Sequence, residues 1–245
     1  MLPSGIVVQS SWLTEQGYSP SLQQRYRTNQ WLKPLGQGAM VRPNDEVKYE
    51  GAIYALQSQS NMSIHPAGKT ALSLQGKTHY IELGSSKVLL FGAKGERLPS
   101  WFTKHDWGQK VDYHSSSFLP PHLGMMDIPL KNFSIRISDP IRAVMECIHL
   151  APKEEDLFEC YELIQGLNNL RPNKVQEMLE QCQSIKVKRL FLYLADKIGH
   201  DWFKQINLEK IDLGKGKRSV VRDGFYIAKY QITVPKAFID YGREV

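Results

Sequence analysis

The chain has 245 residues, of which 42% are apolar and 23% charged, and a formal net charge of +6. That length allows one large domain or two ordinary ones, and the composition is that of a folded globular protein rather than a disordered or fibrous one. No apolar run approaches the length of a membrane span and no basic-then-apolar leader opens the chain, so a cytoplasmic protein without membrane partners is expected.

Residues 1–8 are short and apolar, a strand or the start of a helix. Residues 11–16 form an amphipathic run that stops at Gly17. Ser19-Pro20 opens a second helix, with Ser19 as N-cap and Pro20 at the first helical position, running to about Asn29. Two extended pieces follow, 31–35 and 39–42, joined by the turn Gly36-Gln37-Gly38. Helix, glycine turn, helix and β-hairpin is the order of a winged helix-turn-helix. If Leu22 and Tyr26 mark the apolar side of the second helix, the opposite side carries Ser21, Gln24, Arg27 and Thr28, with Gln23 and Arg25 on the flanks. Gln can pair with adenine, Arg with guanine, and Thr with phosphate or the thymine methyl. The candidate DNA-binding set is therefore Ser19, Ser21, Gln23, Gln24, Arg25, Arg27 and Thr28 on the helix, with Lys33, Gln37 and Arg42 on the hairpin. The competing reading is a small winged-helix fold used for protein contacts, its Arg25 and Arg27 simply solvated.

Residues 44–47 read as a polar turn, 49–59 as a third helix, and 66–74 as a fourth. From Lys77 the pattern becomes β-like. Residues 79–83 and 87–91 flank Gly84-Ser85-Ser86 as a hairpin, 98–107 are aromatic-rich, 112–121 read as an irregular connection, and 130–137 alternate as a half-buried strand. Ser138-Asp139-Pro140 starts a helix that runs to about Leu150. Three more are expected over 154–165, 172–181 and 186–198, with a turn at 201–205, and β signals return around Gly214, Gly216 and Gly224. The expected fold class is α+β: a winged helix-turn-helix with two trailing helices over 1–77, then a mixed C-terminal domain over 78–245 with a helical middle and terminal strands.

A second basic feature lies in the C-terminal part. Lys215, Lys217 and Arg218 sit on a glycine-rich loop, and Lys186, Lys188 and Arg189 open the last long helix, where their charge opposes the helix dipole. A fixed anion would relieve that opposition, and a basic glycine-rich loop can bring backbone N–H groups and Lys side chains to phosphates, so all six residues are candidate phosphate contacts. The alternative is a solvated hairpin turn. The loop is not a P-loop, because Gly214 and Gly216 are one residue apart.

No enzyme is expected. Gly84-Ser85 after a β-like run is reminiscent of nucleotidyltransferases, but the pair of acids needed to hold Mg²⁺ is missing, with Lys94-Gly95-Glu96 in its place. No nucleophile elbow is present. Asp127, Asp139 and His149 have no spacing that supports a hydrolytic arrangement. Cys147, Cys160 and Cys182 form no C-x-x-C pair and the seven histidines are scattered, which predicts reduced buried thiols, no metal and no cofactor.

Laid out in order, these segments resemble the AbiEi family of type IV antitoxins. The N-terminal markers are Pro3-Ser4-Gly5-Ile6-Val7-Val8, Trp12-Leu13, Gly17-Tyr18-Ser19, Arg25-Tyr26, Trp31-Leu32, Thr70-Ala71-Leu72 and Leu74-Gln75-Gly76. The C-terminal ones run from Lys188 to Ala195, from Asp212 to Arg218 and from Tyr230 to Pro235. The resemblance implies an N-terminal winged helix that binds double-stranded DNA, commonly inverted repeats in its own promoter, and represses it. It implies a C-terminal antitoxin domain in a phage-defence (abortive infection) system. The toxin would be a nucleotidyltransferase encoded next door, which a type IV antitoxin need not bind directly. A monomer or a DNA-assembled dimer is expected. Members of that family carry a helix before the Pro-Ser-Gly entry. Here the chain starts almost at that entry, so either the start is late or the three-helix core is completed in another way.

Overall fold

The computed structural model describes residues 2–76 and 87–242. The chain forms two compact units. One comprises Met1–Ser116 and Met125–Ile137, the other Ser117–Gly124 and Ser138–Val245. The structural division thus differs from the break at residue 77 suggested by composition: residues 87–116 and 125–137 fold with the N-terminal segment.

In the first unit, β1 (Val8–Gln9) leads directly into α1 (Ser10–Glu15). After a turn at Gly17 comes α2 (Pro20–Thr28), then β2 (Lys33–Gly36) and β3 (Ala39–Val41). The three strands form one antiparallel sheet in the order β1-β3-β2, with Val8 opposite Met40 and Pro34 opposite Met40 on the other edge. Val8, Leu13 and Met40 make its core, with Leu2, Trp12 and Leu32 packed around them. The hairpin starts at Lys33 rather than at Trp31, because the amides of Trp31 and Leu32 still bond to the Tyr26 carbonyl at the end of α2.

α3 (Tyr49–Ser58) lies against the first residues of the chain. A Cβ on Gly51 would stand 2.0 Å from the Gly5 carbonyl oxygen and 3.1 Å from Ile6 Cα, both backbone atoms that cannot swing aside. Two buried glutamines fasten the same junction. Gln59 accepts from the Gln9 amide (2.8 Å) and donates to the Val7 carbonyl (2.8 Å), while Gln9 donates to the Ala55 carbonyl (3.0 Å). Gly51→Ala should therefore destabilise the chain by about 1–3 kcal/mol through overpacking, outweighing the roughly 1 kcal/mol that alanine gains over glycine in a helix. The urea midpoint checks this, and an unchanged or raised midpoint would refute the close approach.

The rest of this unit departs from the sequence reading. His65–Pro66 is a short strand, β4, and the fourth helix, α4, begins only at Gly68 and ends at Leu74. The expected hairpin partner over 79–83 and its turn, Gly84-Ser85-Ser86, lie outside the described residues. β5 (Lys87–Ala93) is a strand as expected, antiparallel to β4 and parallel to β6 (Lys110–Ser116), so residues 112–116 are not an irregular connection. Between β5 and β6 sits the short helix α5 (Ser100–Thr103). β7 (Met125–Pro129) and β8 (Ser134–Ser138) form a two-stranded ribbon, and Gln57 on α3 pairs with β8 by donating to the Arg136 carbonyl (2.8 Å) and accepting from its amide (2.9 Å).

The second unit is built on four helices: α6 (Pro140–Leu150), α7 (Leu157–Gln165), α8 (Pro172–Gln181) and α9 (Ile185–Ile198). Their starts obey local rules. Asp139 caps α6 by accepting from the Arg142 amide, Asp156 caps α7 and Ser184 caps α9, and Pro opens α6 and α8. α9 is buried from Val187 through Ala195 on every side, which makes it the central element of the unit. It packs against β11 of a small sheet in the order β10-β11-β9, made of β9 (Arg218–Ser219), β10 (Phe225–Ile227) and β11 (Ile232–Val234). All three cysteines are buried thiols outside any disulfide, and burial pushes the Cys182 thiol up to about 11. Among the described residues no helix is long and apolar enough to cross a membrane.

Candidate nucleic-acid interface

The α2 helix is fixed at its start by Ser19, whose hydroxyl accepts from the Leu22 amide (3.3 Å) and lies 2.9 Å from the Ser21 hydroxyl. Ser19 is thus engaged in capping, though it stays exposed. Burial then sorts the helix. Leu22, Gln23, Tyr26 and Arg27 turn inward or sit half-buried, and Ser21, Gln24, Arg25 and Thr28 are exposed. Those four stand at i, i+3, i+4 and i+7, so they form one continuous stripe.

Two residues move relative to the sequence reading. Arg25 belongs to the centre of the outer stripe, and Arg27 to its flank. The Arg27 guanidinium rests on Met40 Sδ at 3.6 Å and donates to the Gln24 side-chain oxygen, so it orients Gln24 from beside the stripe. Gln23 is a correction. It is 3% exposed, and its amide nitrogen donates to the Ser10 carbonyl (3.1 Å), the Thr14 hydroxyl (3.0 Å) and the Tyr18 carbonyl (2.9 Å). It clamps both ends of α1 and the intervening turn, and is not available to a base.

On the hairpin, Lys33 and Gln37 are exposed, with Gln37 at the β2–β3 turn. Arg42 is a second correction. It bends back to the chain's entry, donating to the carbonyls of Leu2 (2.7 Å) and Pro3, and lies 3.5 Å from Asp45. The hairpin is braced by α5: a Cβ on Gly36 would meet Trp101 Cβ at 2.9 Å. Sequence reasoning gave Trp31 no surface role. It is 64% exposed beside the end of α2, with its ring 5.4 Å from Tyr26, which in turn is 6.2 Å from Tyr18. Periodicity could not separate such an exposed aromatic from a core one.

In the second unit the six basic residues divide. Lys215, Lys217 and Arg218 are exposed, with the Lys217 ammonium 4.9 Å above the Tyr226 ring. Lys186, Lys188 and Arg189 are not a surface patch, which corrects their assignment as phosphate contacts. Lys188 is 3% exposed. Lys186 donates to the carbonyls of His149 (2.6 Å) and Ala151 (2.7 Å), the negative end of the α6 dipole, and burial holds its pKa below the ordinary lysine value. Arg189 is 1% exposed and bonds only to oxygen acceptors on 213–216 and Gln231. The charges of Lys186 and Arg189 are therefore met by carbonyl oxygens of the protein, and no bound anion is needed to explain those two.

Comparison with known proteins covers both parts of the chain. Residues 1–83 match the family model described as "Transcriptional regulator, AbiEi antitoxin N-terminal domain", and residues 85–235 match "Transcriptional regulator, AbiEi antitoxin, Type IV TA system". No curated protein matches the chain. Among solved structures the fold is similar to that of the RV2827C protein from Mycobacterium tuberculosis, at 14% identity and a TM-score of 0.54, over 93% of this chain and 85% of that one. With both family models matched end to end, the chain belongs to the AbiEi antitoxins, transcriptional regulators of type IV toxin–antitoxin systems.

Proposed function

We propose that this antitoxin is a sequence-specific DNA-binding autorepressor whose N-terminal unit works as a winged helix-turn-helix. In this reading α1 and α2 are the helix-turn-helix, α2 enters the major groove, and the β2–β3 hairpin is the wing. α3, seated on residues 5–7 at Gly51, is then the third helix of the core. The observation that carries the reading is the outer stripe of α2. Ser21, Gln24, Arg25 and Thr28 are the only inward-free side chains of that helix besides its terminal Pro20, they share one face, and each is a base- or phosphate-reading type. Lys33 and Gln37 then meet backbone, and the loop bearing Lys215, Lys217 and Arg218 adds a second set of phosphate contacts. The protein acts in the cytoplasm, as a monomer or a DNA-assembled dimer, and counters a nucleotidyltransferase toxin encoded beside it without needing to hold it.

The test is a binding titration on the DNA upstream of the protein's own gene across a range of salt concentrations. Affinity should fall with salt with a slope of about 0.9 per phosphate contacted. No complex at low salt would overturn the proposal.

A second reading, direct capture of the toxin, is favoured by one feature: Trp31, 64% exposed against Tyr26, is the kind of aromatic that anchors protein interfaces. A complex with the neighbouring toxin that survives purification and is abolished by Trp31→Ala would support it.

A further inference from the structure

Arg189 lies at the core of the second unit, and every one of its five N–H donors is spent. Nε donates to the Leu213 carbonyl (2.8 Å), one terminal nitrogen to the carbonyls of Gly216 and Gln231 (2.7 Å each), and the other to the Gly214 carbonyl (3.1 Å) and the Gln231 side-chain oxygen (3.5 Å). Among the described residues no carboxylate lies within ion-pair distance of it. A buried guanidinium without a counter-ion is tolerated only where polar atoms replace its water, and here the glycine-rich loop does so.

This has a geometric consequence for the loop. A trans peptide holds its C=O and the next residue's N–H on opposite sides, and the single cis bond described is Ala151-Pro152. With the carbonyls of Gly214 and Gly216 turned to Arg189, the amides of Lys215 and Lys217 are turned away from it. Neither amide has a hydrogen-bond partner among the described residues, and residues 214–219 are all exposed. Gly214 and Gly216 have φ of +64° and +78°, the left-handed conformation through which short loops aim successive amides outward. Lys215 and Lys217 carry those amides, Arg218 follows directly, and all three residues are exposed.

We infer that Arg189 is a positioning residue: from inside the unit it sets the loop so that the Lys215 and Lys217 amides and the Lys215, Lys217 and Arg218 side chains form one site for a nucleic-acid backbone phosphate. This rests on the reading that the loop meets phosphate, so the experiment tests the two separately. The full chain is titrated with its upstream duplex at several salt concentrations. Replacing Lys215, Lys217 and Arg218 together by glutamine should flatten the salt slope by about 0.9 for each phosphate no longer neutralised. Arg189→Lys keeps the buried charge but offers three donors without the fork. It should flatten the slope by the same amount, and added to the triple variant it should flatten it no further. A triple variant with the parent slope would remove the loop from the interface and take the inference with it, leaving the α2 reading untouched. A flattened triple variant beside an Arg189→Lys protein with the parent slope would overturn the positioning role alone, whatever happened to the melting temperature. Should Arg189→Lys fail to fold, Gly216→Ala serves in its place, since it strains the loop at a left-handed position with nothing within 4 Å to clash. The parent slope in that variant would equally overturn the inference.

Discussion

Glu146→Gln should destabilise the C-terminal unit by about 3–5 kcal/mol, the largest effect expected of a single substitution in this chain. Glu146 is fully buried and Arg142 is 4% exposed. The two face one another at i, i+4 on α6, with Nε to Oε1 at 2.8 Å, and the second carboxylate oxygen accepts from the Ser138 hydroxyl at 2.7 Å. Glutamine keeps the shape and one acceptor but removes the charge, leaving a guanidinium buried without its counter-ion. Replacing both partners by apolar residues, which is neutral in some proteins, should still be costly here. Arg142 also donates to the carbonyls of Pro120 (2.8 Å) and Leu123 (2.6 Å), which would be left without a partner. Because the chain has two units, the readout is the urea transition followed by a probe in the second one, such as the buried Trp202. A midpoint within the error of the parent would show that the pair is not buried as described. The same site has a pH signature. Burial first, and then the Glu146 charge, raise the Asp139 carboxyl above its ordinary value. A carboxylate whose folded pKa is raised favours folding only when protonated, so its contribution is present below the unfolded pKa and is lost as pH rises through the folded one.

Arg25→Ala should weaken operator binding about 10–100-fold, corresponding to about 1–3 kcal/mol, and relax the preference for one base pair. Arg25 is exposed at the centre of the α2 stripe, with Ser21 one turn before it and Thr28 one turn after. Arg27→Ala should do less to base preference, because that side chain is tied to Met40 and Gln24. Its effect should be divided between stability and the freedom of Gln24. Competition binding against single-base variants of the upstream site distinguishes the two. If Arg27→Ala relaxed specificity and Arg25→Ala changed only the salt slope, the assignment of the stripe would be reversed. Gln23→Ala serves as the structural control. It should lower the melting temperature, since three acceptors lose their donor, while leaving the salt slope of the folded fraction unchanged.

Local features were legible from the residues alone. Ser19-Pro20 and Asp139-Pro140 start helices because a short oxygen cap and a fixed φ act within one turn, and nothing distant competes with them. The four helices of the second unit followed from apolar spacing, and the family from short segments in a fixed order. The residues of the α2 stripe were legible too, but not its centre. With the apolar side marked by Leu22 and Tyr26 alone, Arg27 rather than Arg25 falls on the outer face. A buried glutamine, Gln23, shifts the true inner face toward Arg27, and a polar residue gives no periodicity signal.

Tertiary structure decided what depends on partners far along the chain. Arg189 and Lys186 read as surface charge until carbonyls 24 to 42 residues from Arg189, and 35 to 37 from Lys186, enclose them. Arg42 left the hairpin because two carbonyls at the chain's entry, about 40 residues away, attract it more strongly than solvent does. β6 became a strand through its parallel pairing with β5, although Asp112 to Ser116 lack the continuous apolar run by which buried parallel strands are usually recognised. Side-chain type and spacing thus determine which residues carry charge and where helices begin. Whether a given charge faces a phosphate or holds a loop together is set by desolvation and by long-range carbonyl partners, which only the folded chain brings within reach.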